Sequence, residues 1–215
     1  MDGYGSRFIT NTFGIANSAL HYWDKTNLLK PSLRPAGGKG SSRLYSYRDL
    51  VQILVVDRLR KLRLPLQRVR KCLVYLKKQF PHLEAPFAEV SLLTDGDTIF
   101  ILTDNPSTVL DTLREQVVWS VPLGAILRSA SETLEAATAP QTEELQVDGN
   151  GFTVTMVQDP EDGWWVGLVN ELPGCGSQGG TIEELRDMVK DAIHEYLIAL
   201  GGIHDDAQDT KAVAL

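Results

Sequence analysis

Gly14-Ile15-Ala16-Asn17-Ser18-Ala19-Leu20-His21-Tyr22-Trp23-Asp24 is followed by Asn27-Leu28-Leu29-Lys30-Pro31-Ser32 and a Gly-rich basic loop from Arg34 to Gly40. Next comes Arg43-Leu44-Tyr45-Ser46-Tyr47-Arg48-Asp49-Leu50. Gly14 suits a turn that needs positive φ, so a helix near Ser6–Thr12 is predicted to turn at Phe13-Gly14-Ile15 into a second helix. Asn17 or Ser18 is the expected cap of that second helix, which runs to about Lys25. Leu20 and Trp23, three residues apart, face inward. Asn17, Ser18, His21, Tyr22 and Lys25 then share the outer side.

Pro31 closes the helical region, and Gly37-Gly38-Lys39-Gly40 makes a flexible loop flanked by Arg34 and Arg43. A helix from Ser46 or Tyr47 to about Leu62 is predicted from Leu50, Val51, Leu54, Val55 and Leu59. A further helix opens at Pro65, with Leu66, Val69, Leu73 and Leu76 as its apolar stripe. Helix, turn, helix, basic loop and two more helices is the order of a winged helix-turn-helix. The order and residue types from Phe13 to Lys78 resemble the MerR family of bacterial transcription regulators. That resemblance implies binding to double-stranded DNA. It assigns Ser18, His21 and Tyr22 to base edges and Arg43 and Tyr45 to the DNA backbone. The whole expected DNA-binding set is Asn17, Ser18, His21, Tyr22, Lys25, Arg34, Lys39, Arg43 and Tyr45. His21 also has the plainer reading of an ordinary surface histidine.

Charge agrees with this division. Residues 1–82 carry sixteen Lys and Arg against four Asp and Glu, a balance of +12, whereas residues 83–215 carry five against twenty-four, or −19. The net charge of −7 therefore hides a basic block joined to an acidic one. Lys and Arg around the loop would meet phosphate and set affinity rather than sequence preference. Gly38-Lys39-Gly40-Ser41 lacks the Lys-Ser/Thr pair and preceding strand of a phosphate loop.

The pattern departs from the family after Lys78. Pro81 and Pro86 interrupt the long helix through which many MerR proteins dimerise, so a homodimer is expected to use another surface. Strands at Glu89–Leu93 and Thr98–Thr103 flank Asp95-Gly96-Asp97, a good hairpin turn. A short helix at Ser107–Arg114, a strand near Gln116–Val121 and a helix from Pro122 to about Ala137 complete a small α+β connector. The last helix should bury Leu123, Ile126, Leu127 and Leu134. Ala136–Gln146 has linker composition.

Farther on, Phe152–Gln158 alternates as a strand, Asp159–Gly163 turns, and Trp164–Glu171 and Gly174–Gln178 read as two more strands. Thr181 and Glu184 form a capping box for a helix that buries Ile182, Leu185, Val189 and Ile193 and stops at Gly201-Gly202. Leu172-Pro173-Gly174-Cys175, Ser177-Gln178-Gly179 and Thr181-Ile182-Glu183-Glu184, taken in order over about residues 147–200, resemble the HicB family. That resemblance implies a degenerate ribonuclease-H-like fold and an antitoxin role with a small toxin as partner. Gly180 stands where an acidic residue is common in the family, and only Ala212–Leu215 remain to supply a terminal strand.

The expected fold class is thus α+β. Residues 1–80 are a MerR-like DNA-binding domain, 81–137 a connector or dimerisation region, 138–146 a linker and 147–215 a HicB-like β-β-β-α domain. Gly174-x-Gly176-x-x-Gly179 matches a dinucleotide fingerprint, but no second parallel strand with an acid about twenty residues on can follow. Asp159, Glu161 and Asp162 lie in one turn and Glu183, Glu184 and Asp187 in one helical end, so a metal-dependent nuclease is disfavoured. Cys72 and Cys175 are isolated, which gives a zinc site no support. No cofactor, no catalytic residue, no membrane segment and a cytoplasmic location are expected. Two readings of function stay open: an autoregulating antitoxin-like regulator, or a regulator whose C-terminal domain only dimerises or senses a small ligand.

Overall fold

The computed structural model describes residues 3–37, 42–94, 99–102 and 119–209. The chain divides into two compact units, Met1–Ala136 and Ala137–Leu215. In the first unit, β1 (Tyr4–Gly5) leads into α1 (Ser6–Phe13), and Gly14 ends that helix in the left-handed region at φ 69°. α2 (Asn17–Lys25) follows with Leu20 and Trp23 buried. Its N-cap is Ala16, which makes no side-chain capping bond, so the expected cap at Asn17 or Ser18 is corrected: both lie inside the first turn. Asn27, at φ 55°, ends the helix, and the Leu28 N–H closes back on the Trp23 carbonyl at 2.8 Å.

β2 (Leu44–Tyr45) pairs antiparallel with β1 and bridges Arg34 across the base of the wing. α3 (Tyr47–Lys61) starts at a capping box in which Ser46 and Asp49 satisfy each other's backbone N–H. Its Leu50, Ile53, Val56 and Leu59 are among the buried residues of this unit. α4 (Leu66–Gln79) buries Val69, Leu73 and Leu76, with Pro65 as N-cap rather than first helical residue. Cys72 packs in that helix, and burial pushes its thiol up to about 11, which disfavours the thiolate form.

A short α5 (Pro86–Glu89) takes the place of the first part of the expected strand at Glu89–Leu93. β3 (Ser91–Thr94) is central in a three-stranded antiparallel sheet of order β4-β3-β5, with β4 (Ile99–Leu102) and β5 (Trp119–Val121). The expected turn at Asp95–Asp97 and helix at Ser107–Arg114 lie outside the described residues. α6 (Leu123–Thr138) buries Ala130 and Leu134; Leu123, Ile126 and Leu127 are only partly covered.

The second unit corrects the linker. Residues of the expected 138–146 linker form β6 (Gln141–Val147), an edge strand paired along its length with β7 (Asn150–Gln158). Its polar composition follows from that position: Thr142, Glu144 and Gln146 face solvent while Leu145 and Val147 enter the core. Asp148 and Gly149, at φ 51° and 80°, make a two-residue hairpin turn. β8 (Trp165–Val169) and β9 (Gly176–Gly179) complete a four-stranded antiparallel meander. The order is therefore β-β-β-β-α rather than β-β-β-α. Because β9 runs antiparallel to β8, the Gly174–Gly179 pattern is no dinucleotide site.

α7 (Ile182–Asp209) covers one sheet face through Leu185, Val189 and Ile193, all fully buried against Phe152, Val154, Met156 and Val169. Gly179 permits this approach, since a Cβ there would lie 2.5 Å from the Leu185 backbone nitrogen. The Thr181 hydroxyl accepts from the Glu184 N–H at 3.1 Å, and the Glu184 carboxylate accepts from the Gly180 N–H at 2.8 Å, one residue earlier than in a standard box. Gly201 and Gly202 do not stop the helix, which runs on to Asp209. Interior glycine costs only about 1 kcal/mol and does not force an end. Ala212–Leu215 lie outside the described residues.

Candidate nucleic-acid interface

α2 presents one continuous outer face. Asn17, Ser18, His21, Tyr22 and Lys25 are all exposed, at spacings that place them side by side on a helix. Leu20 and Trp23 anchor the opposite face in the core, and the Arg60 guanidinium of α3 lies 5.9 Å from the Trp23 ring centre. A polar, partly aromatic helical face held on a rigid base can enter a major groove, where donors and acceptors on base edges differ between base pairs.

The wing residues divide. Arg34 is exposed at the wing root, and its guanidinium donates to the Ser42 carbonyl and hydroxyl, each at 3.2 Å. Lys39 lies outside the described residues. Tyr45 is a correction to the expected set. It is 1% exposed and belongs to the core beneath the wing, because β2 pairs with β1 and turns this side chain inward. Burial, opposed by the nearby Arg43 charge, pushes its phenol up to about 12. Tyr45 supports the wing from within and cannot itself reach a phosphate.

Arg43 has partners inside the protein. Its Nε donates to the Asp24 carboxylate at 2.7 Å, and its Nη2 donates to His21 Nδ1 at 2.7 Å. Both members of the ion pair are largely covered, at 15% and 19% exposure. The guanidinium thus ties the exit of the wing to the outer face of α2.

A second tie went unread in the sequence. The Asp49 carboxylate, 8% exposed, accepts from the Ser46 N–H at 2.9 Å and from the Ser32 N–H at 2.8 Å, and also from the Ser32 hydroxyl. One side chain both caps α3 and fixes the segment that leaves α2. The Ser46-x-x-Asp49 spacing was the available local signal. Asp24, nineteen residues before its partner, gave none.

Among the described residues no group of three or more His, Cys, Asp or Glu is placed to hold a metal ion, and no helix is long and apolar enough to cross a membrane. Asp159 and Asp162 accept from the N–H groups of Glu161 and Trp164, at 2.7 and 2.8 Å, and so shape their own turn.

Residues 9–76, which hold most of α1, all of α2, the wing root, α3 and most of α4, match the family model described as MerR HTH family regulatory protein. The N-terminal part of this chain is a MerR-family helix-turn-helix domain. Uncharacterized HTH-type transcriptional regulators of Mycobacterium bovis and Mycobacterium tuberculosis are 31% identical to it over 127 residues, 59% of this chain and 55% of each relative. The chain thus spans about half the length of these curated relatives. A UPF0150 protein of Archaeoglobus fulgidus is 39% identical over 54 residues, 25% of this chain and 77% of that protein.

Proposed function

We propose that this chain is a DNA-binding transcriptional regulator that acts as a homodimer on an operator of two half-sites. The carrying observation is the exposed Asn17–Lys25 face of α2 on a MerR-type scaffold. Ser18, His21 and Tyr22 read base edges in this account, and Asn17 and Lys25 flank them. Arg34 and Lys39 meet phosphate. The sixteen-to-four excess of cations in residues 1–82 supplies the nonspecific attraction.

The C-terminal unit acts as a HicB-like module that clamps a small RNA-cutting toxin, and the regulator represses its own operon. The similarity to the UPF0150 protein and the acidic balance of residues 83–215 support this reading. A basic RNA-binding partner is complementary to such a surface. The open face of the sheet, with Val166 41% and Leu168 59% exposed, offers an apolar contact at its centre.

Gel-shift titration of the full chain against the DNA upstream of its own gene tests the first part. Salt-sensitive, sequence-preferring binding is expected, and absence of binding at low salt refutes it. Co-expression with the product of the adjacent small gene tests the second. A tight stoichiometric complex is expected. Purification of the regulator alone would instead favour a C-terminal unit that only dimerises or senses a small ligand.

A further inference from the structure

The contact between Arg43 and His21 fixes which hydrogen-bonding group α2 shows to DNA. A guanidinium has donors and no acceptor. At 2.7 Å from Arg43 Nη2, His21 Nδ1 must therefore supply a lone pair. A neutral imidazole whose Nδ1 accepts carries its proton on Nε2. The other tautomer would set N–H against N–H, and a protonated ring would add a second positive charge at that distance. Asp24, three residues after His21 on the same helix, holds the guanidinium through Nε at 2.7 Å, so Arg43 cannot readily turn away.

We propose that Arg43 is a positioning residue that locks exposed His21 as an Nε2–H donor, which makes His21 the reader of a guanine edge in the major groove. The proposal rests on the DNA-binding reading above and deepens it. Guanine offers two adjacent acceptors there, N7 and O6, whereas cytosine offers only its N4 amine, a donor. Adenine N7 and thymine O4 can each accept once, beside groups that a donor cannot use. A donor-only tip thus ranks guanine first and rejects cytosine. A histidine of free tautomer would make no such ranking.

Two experiments on the full chain test this. Long-range nitrogen–proton NMR at about pH 8, above the ordinary imidazole range, reads the tautomer directly, with His21 assigned by its loss in His21→Gln. Nε2–H is expected for the unbound protein, and a dominant Nδ1–H form overturns the proposal without reference to DNA.

Enrichment from a randomised duplex pool then reads preference. The wild type should select guanine at one position of each half-site, and 7-deazaguanine at that position should weaken binding about fivefold, the scale of one hydrogen bond. His21→Ala should lose both effects. Arg43→Lys keeps a cation but lacks the planar fork that meets His21 and Asp24 together, so it should lose the guanine preference while keeping the salt slope. Survival of the preference in either variant overturns the proposal. Equal loss on all sequences in Arg43→Lys would make Arg43 a phosphate contact and overturn it too. Failure of every form to bind any duplex at low salt overturns the DNA reading itself, while the tautomer result still stands alone.

Discussion

Replacing the buried Asp49 by alanine should loosen the first unit in two segments at once. The carboxylate accepts three hydrogen bonds from two segments seventeen and three residues away, and it is 8% exposed. Loss of the capping interaction costs about 1 kcal/mol. The Ser46 and Ser32 N–H groups also lose their acceptor; both are only partly covered, so water recovers much of that penalty and about 1–2 kcal/mol remains. The expected total is about 2–3 kcal/mol, or about 10 °C in melting temperature for a unit of this size. Asp49→Asn keeps one accepting oxygen and should cost about half as much. Urea unfolding of the full chain, followed by hydrogen-exchange mass spectrometry, reads the two units separately. Protection should fall in α3 and in the Leu28–Leu33 segment and stay unchanged in β6–β9. A loss below about 0.5 kcal/mol, or one confined to α3, would refute the idea that Asp49 joins two segments.

Other consequences follow from single observations. Leu185→Ala removes a fully buried side chain from the face between α7 and the sheet, and should destabilise the second unit by about 2–5 kcal/mol in urea melts. Gly14→Ala meets no atom within 4 Å, so its cost should be the left-handed backbone alone, about 1–2 kcal/mol; a much larger loss would mean a clash that the geometry excludes. The hydrogen bond with Thr153 holds the Glu171 carboxyl below its usual range, so the associated stability is present at neutral pH and is lost as pH falls through that lowered value. Glu171→Gln should flatten this acid limb of the second unit's melting curve. The Asp148 carboxylate raises His194, so that contribution is complete in mild acid and is lost as pH rises through the raised value; His194→Ala should remove it.

α1 to α4 of the first unit were legible because their signals are local. Leu20 and Trp23 at helical spacing, Gly14 before them and Pro65 at a start each act within one turn. The outer face of α2 follows from the same spacing. Tyr45 was misread because its direction depends on β1, forty residues earlier, and a tyrosine in a short strand suits either side. The ties of Arg43 to Asp24 and His21 were not legible, since nothing near it in the sequence announces either as a partner.

β6 was hidden by its place at a sheet edge. Gln141 to Glu144 are polar, and Glu143 meets Arg186, 2.8 Å away and forty-three residues later. The Asp148-Gly149 pair did announce the hairpin locally and outweighs the linker composition before it. Gly201-Gly202 illustrates the reverse case, where a breaker signal yields to a long helix already anchored by Leu185, Val189 and Ile193.

The central claim is that α2 and the basic wing present themselves to duplex DNA. Affinity of the full chain for its own upstream sequence, measured across a series of salt concentrations beside a shuffled duplex, tests it most directly. The account predicts a steep linear fall of log affinity with log salt on both duplexes, with several-fold tighter binding to the genuine sequence that Tyr22→Ala abolishes. Binding that is weak at every salt concentration and indifferent to sequence would contradict it.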